Sequence, residues 1–312
     1  MSAPRPTTGF LVSDSSRGFA LGALGVLIFA MTLPMTRLAV GDVSAPQLSP
    51  AFVTAGRAAV AGMLSALYLL AIRAPRPARR HWPALTISGL GTVIGFPLFL
   101  ALALREVDAM HAAVVTGVMP LGTAVVGALA LRQRPSAGFW LCALTGCALV
   151  LGFAAWQGGG RLAAADGLLL LAVVSTSVAY VAGAQVASAM PAQQVICWIL
   201  VAALPLTLPS ALWLWPQGAV RAAAWGGFAY TAVFSMWLGF FAWYRGLALG
   251  GVVRVSQVQL LQPFLALLFA VPVLGETLQP VTLLFSLAVI AVVFIGRSMP
   301  VRRAAPPGVS AR

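Results

Sequence analysis

The 312-residue chain is 61% hydrophobic and only 8% charged, with a mean hydropathy of +0.97. A soluble domain carries about 25% charged residues, so this composition excludes a water-soluble fold. All 19 basic residues are Arg, which excludes the phosphate-binding Lys of a Walker A loop and any Schiff-base Lys. The net charge of +13 comes from short arginine clusters between apolar stretches, a pattern typical of membrane-protein loops rather than of a nucleic-acid-binding surface.

Ten apolar stretches follow one another along the chain, and each has the ~20 residues that a helix needs to cross a bilayer. The sequence therefore predicts an all-α integral membrane protein with ten transmembrane helices. Residues 1–17 are polar and no small-residue cleavage site follows them, so we expect a cytoplasmic tail and a retained first helix. The predicted spans are Gly18–Val40, Ser49–Ile72, Trp82–Leu104, Met110–Leu131, Ala137–Trp156, Asp166–Ala187, Pro191–Trp213, Ala223–Leu247, Gly250–Leu274 and Gln279–Gly296.

The distribution of arginines between the predicted loops sets the orientation of the helices. With the N-terminus inside, only Arg37, Arg105, Arg161 and Arg221 lie on the outer side, and Arg57 lies within a span. The other fourteen of the 19 arginines fall on the cytoplasmic side. Because cytoplasmic loops carry the excess of positive residues, both termini are predicted to be cytoplasmic, with residues 298–312 as a basic tail.

The ten spans divide into five and five around residues 157–165, where three consecutive glycines predict a flexible connecting loop. A half with an odd number of spans starts and ends on opposite sides of the membrane, so its repeat must be inverted. A shift of 143 residues places Pro120 on Pro263, each in the middle of the fourth span of its half. We therefore predict two inverted five-helix repeats, residues 18–156 and 166–297. Such repeats build secondary transporters with a substrate site near the bilayer midplane.

Polar and aromatic side chains recur inside the predicted spans at helical spacing, so that they share a face. Such side chains are costly in hydrocarbon and usually face protein or a cavity. The repeat shift pairs Thr92 with Ser235 and Thr116 with Gln259. The predicted cavity is largely apolar with scattered hydrogen-bonding groups, which suits an uncharged or zwitterionic metabolite. The predicted substrate-binding residues are Met31, Thr32, Arg57, Thr92, Phe96, Thr116, Tyr180, Ser235, Trp237, Gly239, Ser256 and Gln259.

Several of these residues have a structural interpretation beside the functional one. Thr116 and Gln259 equally suit hydrogen bonding between helices. Tyr180 and Trp237 are of types that more often pack between helices or lie in an interface belt. Met31 suits pliable packing, because its side chain is flexible and unbranched.

Arg57 is the one charged residue well inside a predicted span, roughly 10 Å in from Pro50 at ~1.5 Å per residue. Its planar guanidinium suits a substrate carboxylate. In the alternative interpretation, the side chain extends to the outer interface or binds carbonyl groups at a helix end. We favour this structural role, because an arginine can reach the interface from that depth.

Four prolines inside spans, at positions 34, 97, 120 and 263, each remove a backbone hydrogen bond and allow a kink. We interpret Pro34, Pro97, Pro120 and Pro263 as hinges for alternating access, with a static bend as the alternative. None of the six acids falls in mid-span, where ion-coupled carriers place a carboxylate, so transport is expected to be facilitated. No metal-binding or cofactor motif occurs, and neither a metal nor a cofactor is expected.

Four segments carry a family resemblance that extends over roughly Gly18 to Arg297. They are Phe29–Arg37 in the first span, Trp243–Leu247 at the end of the eighth, and Pro263–Ala266 leading to Leu274–Glu276. In these segments the chain resembles the EamA type of the drug/metabolite transporter superfamily, and within it bacterial amino-acid exporters of the YddG type. One departure is Leu131–Gln133, which stands where the family often has Gly-Glu.

The resemblance implies a secondary transporter that exports small metabolites, with neutral or aromatic amino acids expected, across the bacterial inner membrane by alternating access. The expected partners are a small-molecule substrate and lipid, and the protein is expected to work as a monomer. A flippase for lipids or lipid-linked precursors is the alternative, because its sequence would look alike. An intramembrane enzyme is disfavoured, since no HExxH, GxSxG or DxxxD motif occurs.

Overall fold

The structure, a computed structural model, describes residues 14–130, 133–157, 162–187, 189–250, 258, 261–298 and 301–303, and these residues are almost entirely helical. A single-turn 3₁₀-helix, Arg79–His81, precedes the third helix. The helices are α1 (Asp14–Ala30 and Thr32–Val40), α2 (Pro50–Ala71), α3 (Trp82–Gly89, Leu90–Gly95 and Phe96–Ala103), α4 (Ala109–Thr116 and Met119–Ala130), α5 (Ala137–Gln157), α6 (Ala164–Ala187), α7 (Ala192–Trp213), α8 (Ala222–Ala229, Tyr230–Leu238 and Gly239–Gly250), α9 (Gln262–Leu274) and α10 (Pro280–Ser298).

Seven helices in the described part of the chain are long and apolar enough to cross a membrane, and they correspond to α1 through α7. Two shorter apolar helices lie within α9 and α10, at Gln262–Leu274 and Pro280–Ile295. The fold is therefore an all-helical membrane bundle, as predicted. The predicted ninth span, Gly250–Leu274, is described as helix only from Gln262 onward.

One pair of three-residue strands accompanies the helices. β1 (Gln133–Pro135), between α4 and α5, pairs antiparallel with β2 (Val301–Arg303), which follows α10. The all-α prediction did not include these strands. Their pairing brings the end of α4 and the end of α10 to the same face of the bundle.

Several helix ends follow from ordinary capping chemistry. The Oγ of Ser49 accepts a hydrogen bond from the N–H of Phe52 at 3.1 Å, and Pro50 occupies the first turn of α2. Helices α1 and α9 end at Gly41 and Gly275, whose φ angles of 68° and 70° are left-handed and favour glycine.

Four of the helices are irregular in the middle, and a proline follows three of these irregularities. Helix α1 breaks at Met31, three residues before Pro34, and α4 breaks just before Pro120. The central segments of α3 and α8, Leu90–Gly95 and Tyr230–Leu238, are π-helices, and Pro97 follows the first of them. Proline cannot donate its backbone hydrogen bond and clashes with the carbonyl group four residues earlier, which explains the breaks.

The helices pack in pairs that the two halves share. Helix α1 packs on α8, and α3 packs on α6. Replacing each helix of the first pair by its equivalent in the other half, α1 by α6 and α8 by α3, gives the second pair. Helix pairs α2–α7, α4–α9 and α5–α10 join equivalent helices of the two halves directly. This pattern is what a twofold relation between residues 18–156 and 166–297 produces.

The α1–α8 and α3–α6 contacts are both antiparallel and both very close. A Cβ at Gly246 would lie 2.5 Å from the backbone nitrogen of Gly22 in α1, and one at Gly227 would lie 2.5 Å from the carbonyl oxygen of Met35. In the other pair, a Cβ at Gly91 would lie 2.3 Å from the carbonyl oxygen of Ser175. Small residues let the backbones approach, which is how helices associate without a hydrophobic driving force.

The close α1–α8 contact predicts that Gly246→Ala destabilises the protein. The new methyl group meets the backbone of α1, which cannot move aside, so we expect a loss of about 1–3 kcal/mol in the free energy of unfolding. Denaturant-induced unfolding of the purified protein in detergent measures this change.

Gly152→Ala in α5 is the matched control, because Gly152 is exposed and a Cβ there has no neighbour within 4 Å. Alanine has the higher helix propensity, so the control should be neutral or up to ~1 kcal/mol more stable. Equal losses in the two variants would contradict the assigned contact.

Candidate functional site

A cavity of about 230 Å³ lies in the centre of the bundle. A smaller one of about 50 Å³ adjoins it, and the two share lining residues from α1, α3, α4, α6 and α9. The shared residues are Leu33, Phe96, Met119, Tyr180 and Gln262. The central cavity is therefore formed by both halves of the chain, at the place where they meet.

The larger cavity is mostly apolar and extends along the break in α4. Ala113, Gly117 and Pro120 line it from α4, and Pro263 and Ala266 line it from α9. Its polar groups are the hydroxyls of Thr116, Thr123 and Tyr180 and the amide of Gln262. Thr116 and Thr123 donate to carbonyl groups four residues earlier, at 2.7 and 3.0 Å.

The smaller cavity contains a chain of polar contacts that joins α1, α2 and α8. Arg57 Nη2 donates to Ser235 Oγ at 3.1 Å, and Ser235 Oγ lies 2.8 Å from Thr32 Oγ1. Arg57 is 3% exposed, and its Nε has no hydrogen-bond partner among the described residues. Thr92 and Thr176 also line this smaller cavity.

The structure brings seven of the predicted substrate-binding residues to the central cavity. These are Thr32, Arg57, Thr92, Phe96, Thr116, Tyr180 and Ser235. Two of the predicted hinge prolines, Pro120 and Pro263, line it as well. Their roles in binding and in motion stay predictions.

Three other predicted residues do not line the cavity. Met31 forms the break in α1, and Gly239 packs against Phe29 of α1. Trp237 packs against Tyr68 and Phe241, which is the packing role that the sequence also allowed. The remaining two, Ser256 and Gln259, lie outside the described residues.

The predicted set omitted three polar residues of the lining. Thr123, Thr176 and Gln262 belong to the cavity but not to the predicted set. Thr123 lies seven residues after Thr116, which is two helical turns along the same face, so the period of 3.6 was the signal that could have found it.

A second polar pocket, of about 460 Å³, lies where the loops before α4, α6 and α10 meet. Both carboxylate oxygens of Glu276 accept backbone hydrogen bonds from the start of α4, from Ala109 at 2.7 Å and Met110 at 2.9 Å. Beside them, His111 Nε2 of α4 lies 2.7 Å from Asp166 Oδ1 of α6. These contacts connect the first half to the second at this face of the bundle.

Arg37 adds charge pairing to the same face. Its Nη1 donates to the carbonyl oxygen of Leu104, and its Nη2 lies 3.9 Å from a carboxylate oxygen of Asp42 and of Asp108. The hydroxyl of Ser44 and the backbone N–H of Ala45 donate to Asp42 and lower its pKa. Within the described part of the chain, no three His, Cys, Asp or Glu residues gather to hold a metal ion.

The arrangement defines a class of protein. A helical membrane bundle of two equivalent halves, with a mixed polar and apolar cavity where they meet, is the architecture of a solute carrier. The EamA-like transporter family matches residues 16–154 and again residues 163–296. The chain belongs to the EamA-like transporter family, which confirms the resemblance in its sequence.

Individual relatives agree with this assignment. The uncharacterized transporter YdeK of Bacillus subtilis (strain 168) is 42% identical over 288 residues, covering 92% of this chain and 99% of that protein. A solved crystal structure superposes with a TM-score of 0.60 at 20% identity, over 92% of this chain and 99% of the other, and this likeness shows the fold alone. The chain is thus a multi-pass membrane transporter and not an enzyme.

The Glu276 contact predicts a pH dependence of stability. Burial raises the pKa of Glu276, although the N–H groups of Met110 and Ala109 oppose that shift. The folded protein then holds this proton more tightly than the unfolded chain does, so stability falls as pH rises through the range between the two pKa values. Glu276→Gln removes this titration.

We therefore expect the melting temperature of the wild type to fall relative to that of Glu276→Gln as the pH rises above the ordinary pKa of a glutamate, about 4.3. Glu106→Gln, which removes an exposed carboxylate of the same pocket, controls for the change in net charge. A wild-type curve that rises relative to Glu276→Gln over this range would show that the sign is wrong.

Proposed function

We propose that this transporter exports small neutral amino acids, including aromatic ones, across the bacterial inner membrane by alternating access through the central cavity. The observation that carries the proposal is that matching positions of both halves line this cavity. Thr92 and Ser235, related by the shift of 143 residues, face it from α3 and α8. Pro120 and Pro263 face it from α4 and α9. A site shared by inverted repeats can open to either side by the same rearrangement.

The chemistry of the cavity supports a small amphiphilic substrate. Leu33, Phe96, Ala113 and Ile290 offer an apolar surface for a hydrocarbon or aromatic side chain. Hydroxyl groups and the Gln262 amide offer hydrogen bonds to a polar head group. The cavity is smaller than the 300–1,000 Å³ typical of drug-sized ligand pockets, roughly as a free amino acid requires.

Ten crossings with cytoplasmic termini are part of the proposal. The antiparallel α1–α8 and α3–α6 contacts agree with helices that alternate in direction through all ten. The β1–β2 pairing agrees as well, because α4 and α10 then end on the same side. The arginine distribution places that side in the cytoplasm.

Transport by purified protein in liposomes tests the proposal. Liposomes loaded with one unlabelled neutral amino acid should accumulate a labelled one by counterflow, and excess competitor should abolish the signal. Scrambling of labelled lipid without flux of any amino acid would overturn the proposal and assign the protein as a flippase. Protein-free liposomes give the background.

The lining of the cavity predicts that Phe96→Ala changes the size selectivity of transport. Removing this ring takes away apolar contact from small substrates and adds room for larger ones, so leucine should compete about 10-fold less well while tryptophan loses less. The ratio of the two inhibition constants in the counterflow assay is the measurement.

Phe294→Ala is the control for Phe96→Ala. Phe294 lies in α10 with 56% of its surface exposed, and it does not line the cavity. Its substitution should leave the leucine-to-tryptophan ratio unchanged. If both variants shift the ratio alike, Phe96 does not shape the substrate site.

A further inference from the structure

Arg57 is a buried cation that lacks a carboxylate partner. A guanidinium has five N–H donors, but Ser235 Oγ is the one oxygen acceptor that the described residues supply to it. The Sδ of Met236 lies 3.9 Å from the same Nη2 and is a weak acceptor. The Nε is buried and unpartnered, and the whole residue lines the smaller cavity at 3% exposure.

The acids of the chain cannot neutralise this charge. There are six of them, and all lie in the described part of the chain. Asp14 begins α1, Asp42 follows α1, Glu106, Asp108 and Glu276 line the pocket before α4, and Asp166 binds His111. Among the residues that the structure describes, no carboxylate therefore pairs with the positive charge at the cavity wall.

The side chain is also committed to the interior. The guanidinium of Arg57, in α2, contacts Ser235 and Met236 of α8. If the side chain extended to the membrane interface instead, these contacts would be lost. Ser235 belongs to the π-helical segment of α8, and its hydroxyl also meets Thr32 Oγ1 at 2.8 Å. When Ser235 accepts from Arg57 and donates to Thr32, both hydroxyls are satisfied and the guanidinium plane is held in place.

A buried charge without a partner is strongly unfavourable, and a carboxylate bound by a guanidinium offsets that penalty through strong, paired hydrogen bonds. The cavity offers no comparable partner to a substrate ammonium group, since none of its lining residues is an acid. The charge of the site is thus positive only. It favours a ligand with a single negative head group and an apolar remainder.

We propose that Arg57 is the receptor for a substrate carboxylate, and that the cavity selects monocarboxylates with an apolar or aromatic tail whether or not they carry an amino group. This inference rests on the proposed function, since it describes the substrate of the same cavity. It extends the substrate class from amino acids to the corresponding organic acids. It also excludes the corresponding amines.

Three probes that share a phenylethyl framework separate the contributions of the two head groups. They are phenylalanine, 3-phenylpropanoate, which lacks the amino group, and phenylethylamine, which lacks the carboxylate. Binding is measured as the rise in melting temperature of the detergent-purified protein, and transport as inhibition of counterflow in liposomes. Phenylalanine and 3-phenylpropanoate should act within about 10-fold of each other, and phenylethylamine about 10- to 100-fold more weakly.

Arg57→Gln should weaken binding of 3-phenylpropanoate by about 10- to 100-fold, because it removes the charge-assisted hydrogen bonds. Arg57→Lys keeps the positive charge but lacks the planar guanidinium that binds a carboxylate through two hydrogen bonds. It should therefore bind 3-phenylpropanoate more tightly than Arg57→Gln and less tightly than the wild type. Arg221→Gln is the matched control, since it removes an exposed arginine at the start of α8 and should leave all three probes unchanged. If the Arg57 variants do not fold, the three probes on the wild-type protein still test whether binding depends on the carboxylate.

The outcomes separate this inference from the proposed function. Counterflow that phenylethylamine inhibits as well as phenylalanine does would overturn the carboxylate receptor and leave the carrier standing. Stabilisation that depends on the carboxylate and on Arg57, without flux of any probe, would support the receptor and overturn the carrier. Absence of both stabilisation and flux would overturn both.

Discussion

In hydrocarbon, every backbone N–H and C=O group must be satisfied within the protein, so an interrupted helix is tolerated only where protein or a cavity surrounds it. The interruptions in α1, α3, α4 and α8 all follow this rule. Thr32 and Leu33 follow the break at Met31, Gly117 lies in the break of α4, and each of these three residues lines the central cavity. The irregular backbone thus marks the interior of the bundle. The candidate site lies there because helix interruptions are not tolerated where the backbone faces lipid.

The two halves share a helical framework, but equivalent positions differ in charge. The shift of 143 residues that pairs Thr92 with Ser235 places Leu200 of α7 at the position of Arg57 in α2. Leu200 is fully buried in an apolar cluster, whereas Arg57 faces the cavity. The helical framework is therefore repeated in the two halves, while one half alone supplies the charge. Under the proposed alternating access, a head group bound at Arg57 would keep its orientation as the cavity opens to the other side.

Much of this could be predicted from the sequence, because hydrocarbon imposes simple rules on length, charge and periodicity. Span length and the matched prolines predicted the bundle and its repeat, and helical spacing with the repeat shift predicted Thr92 and Ser235. Arg57 was found as the one charged residue well inside a predicted span. The prediction that Trp237 lines the cavity does not agree with the structure. Trp237 lies two residues after Ser235 in the same π-helix, and it packs against Tyr68 and Phe241. The pairing of His111 with Asp166 could not be predicted, since it joins residues 55 positions apart.

The close contacts of α1 with α8 and of α3 with α6 have a consequence for how the chain is assembled. Each tight pair takes one helix from the first half and one from the second, so neither half contains its own partners. The two repeats therefore exchange helices within one chain, as the two subunits of a domain-swapped dimer do. If the polypeptide were cut in the connecting loop, the two pieces would have to find each other in the bilayer before either could complete its packing.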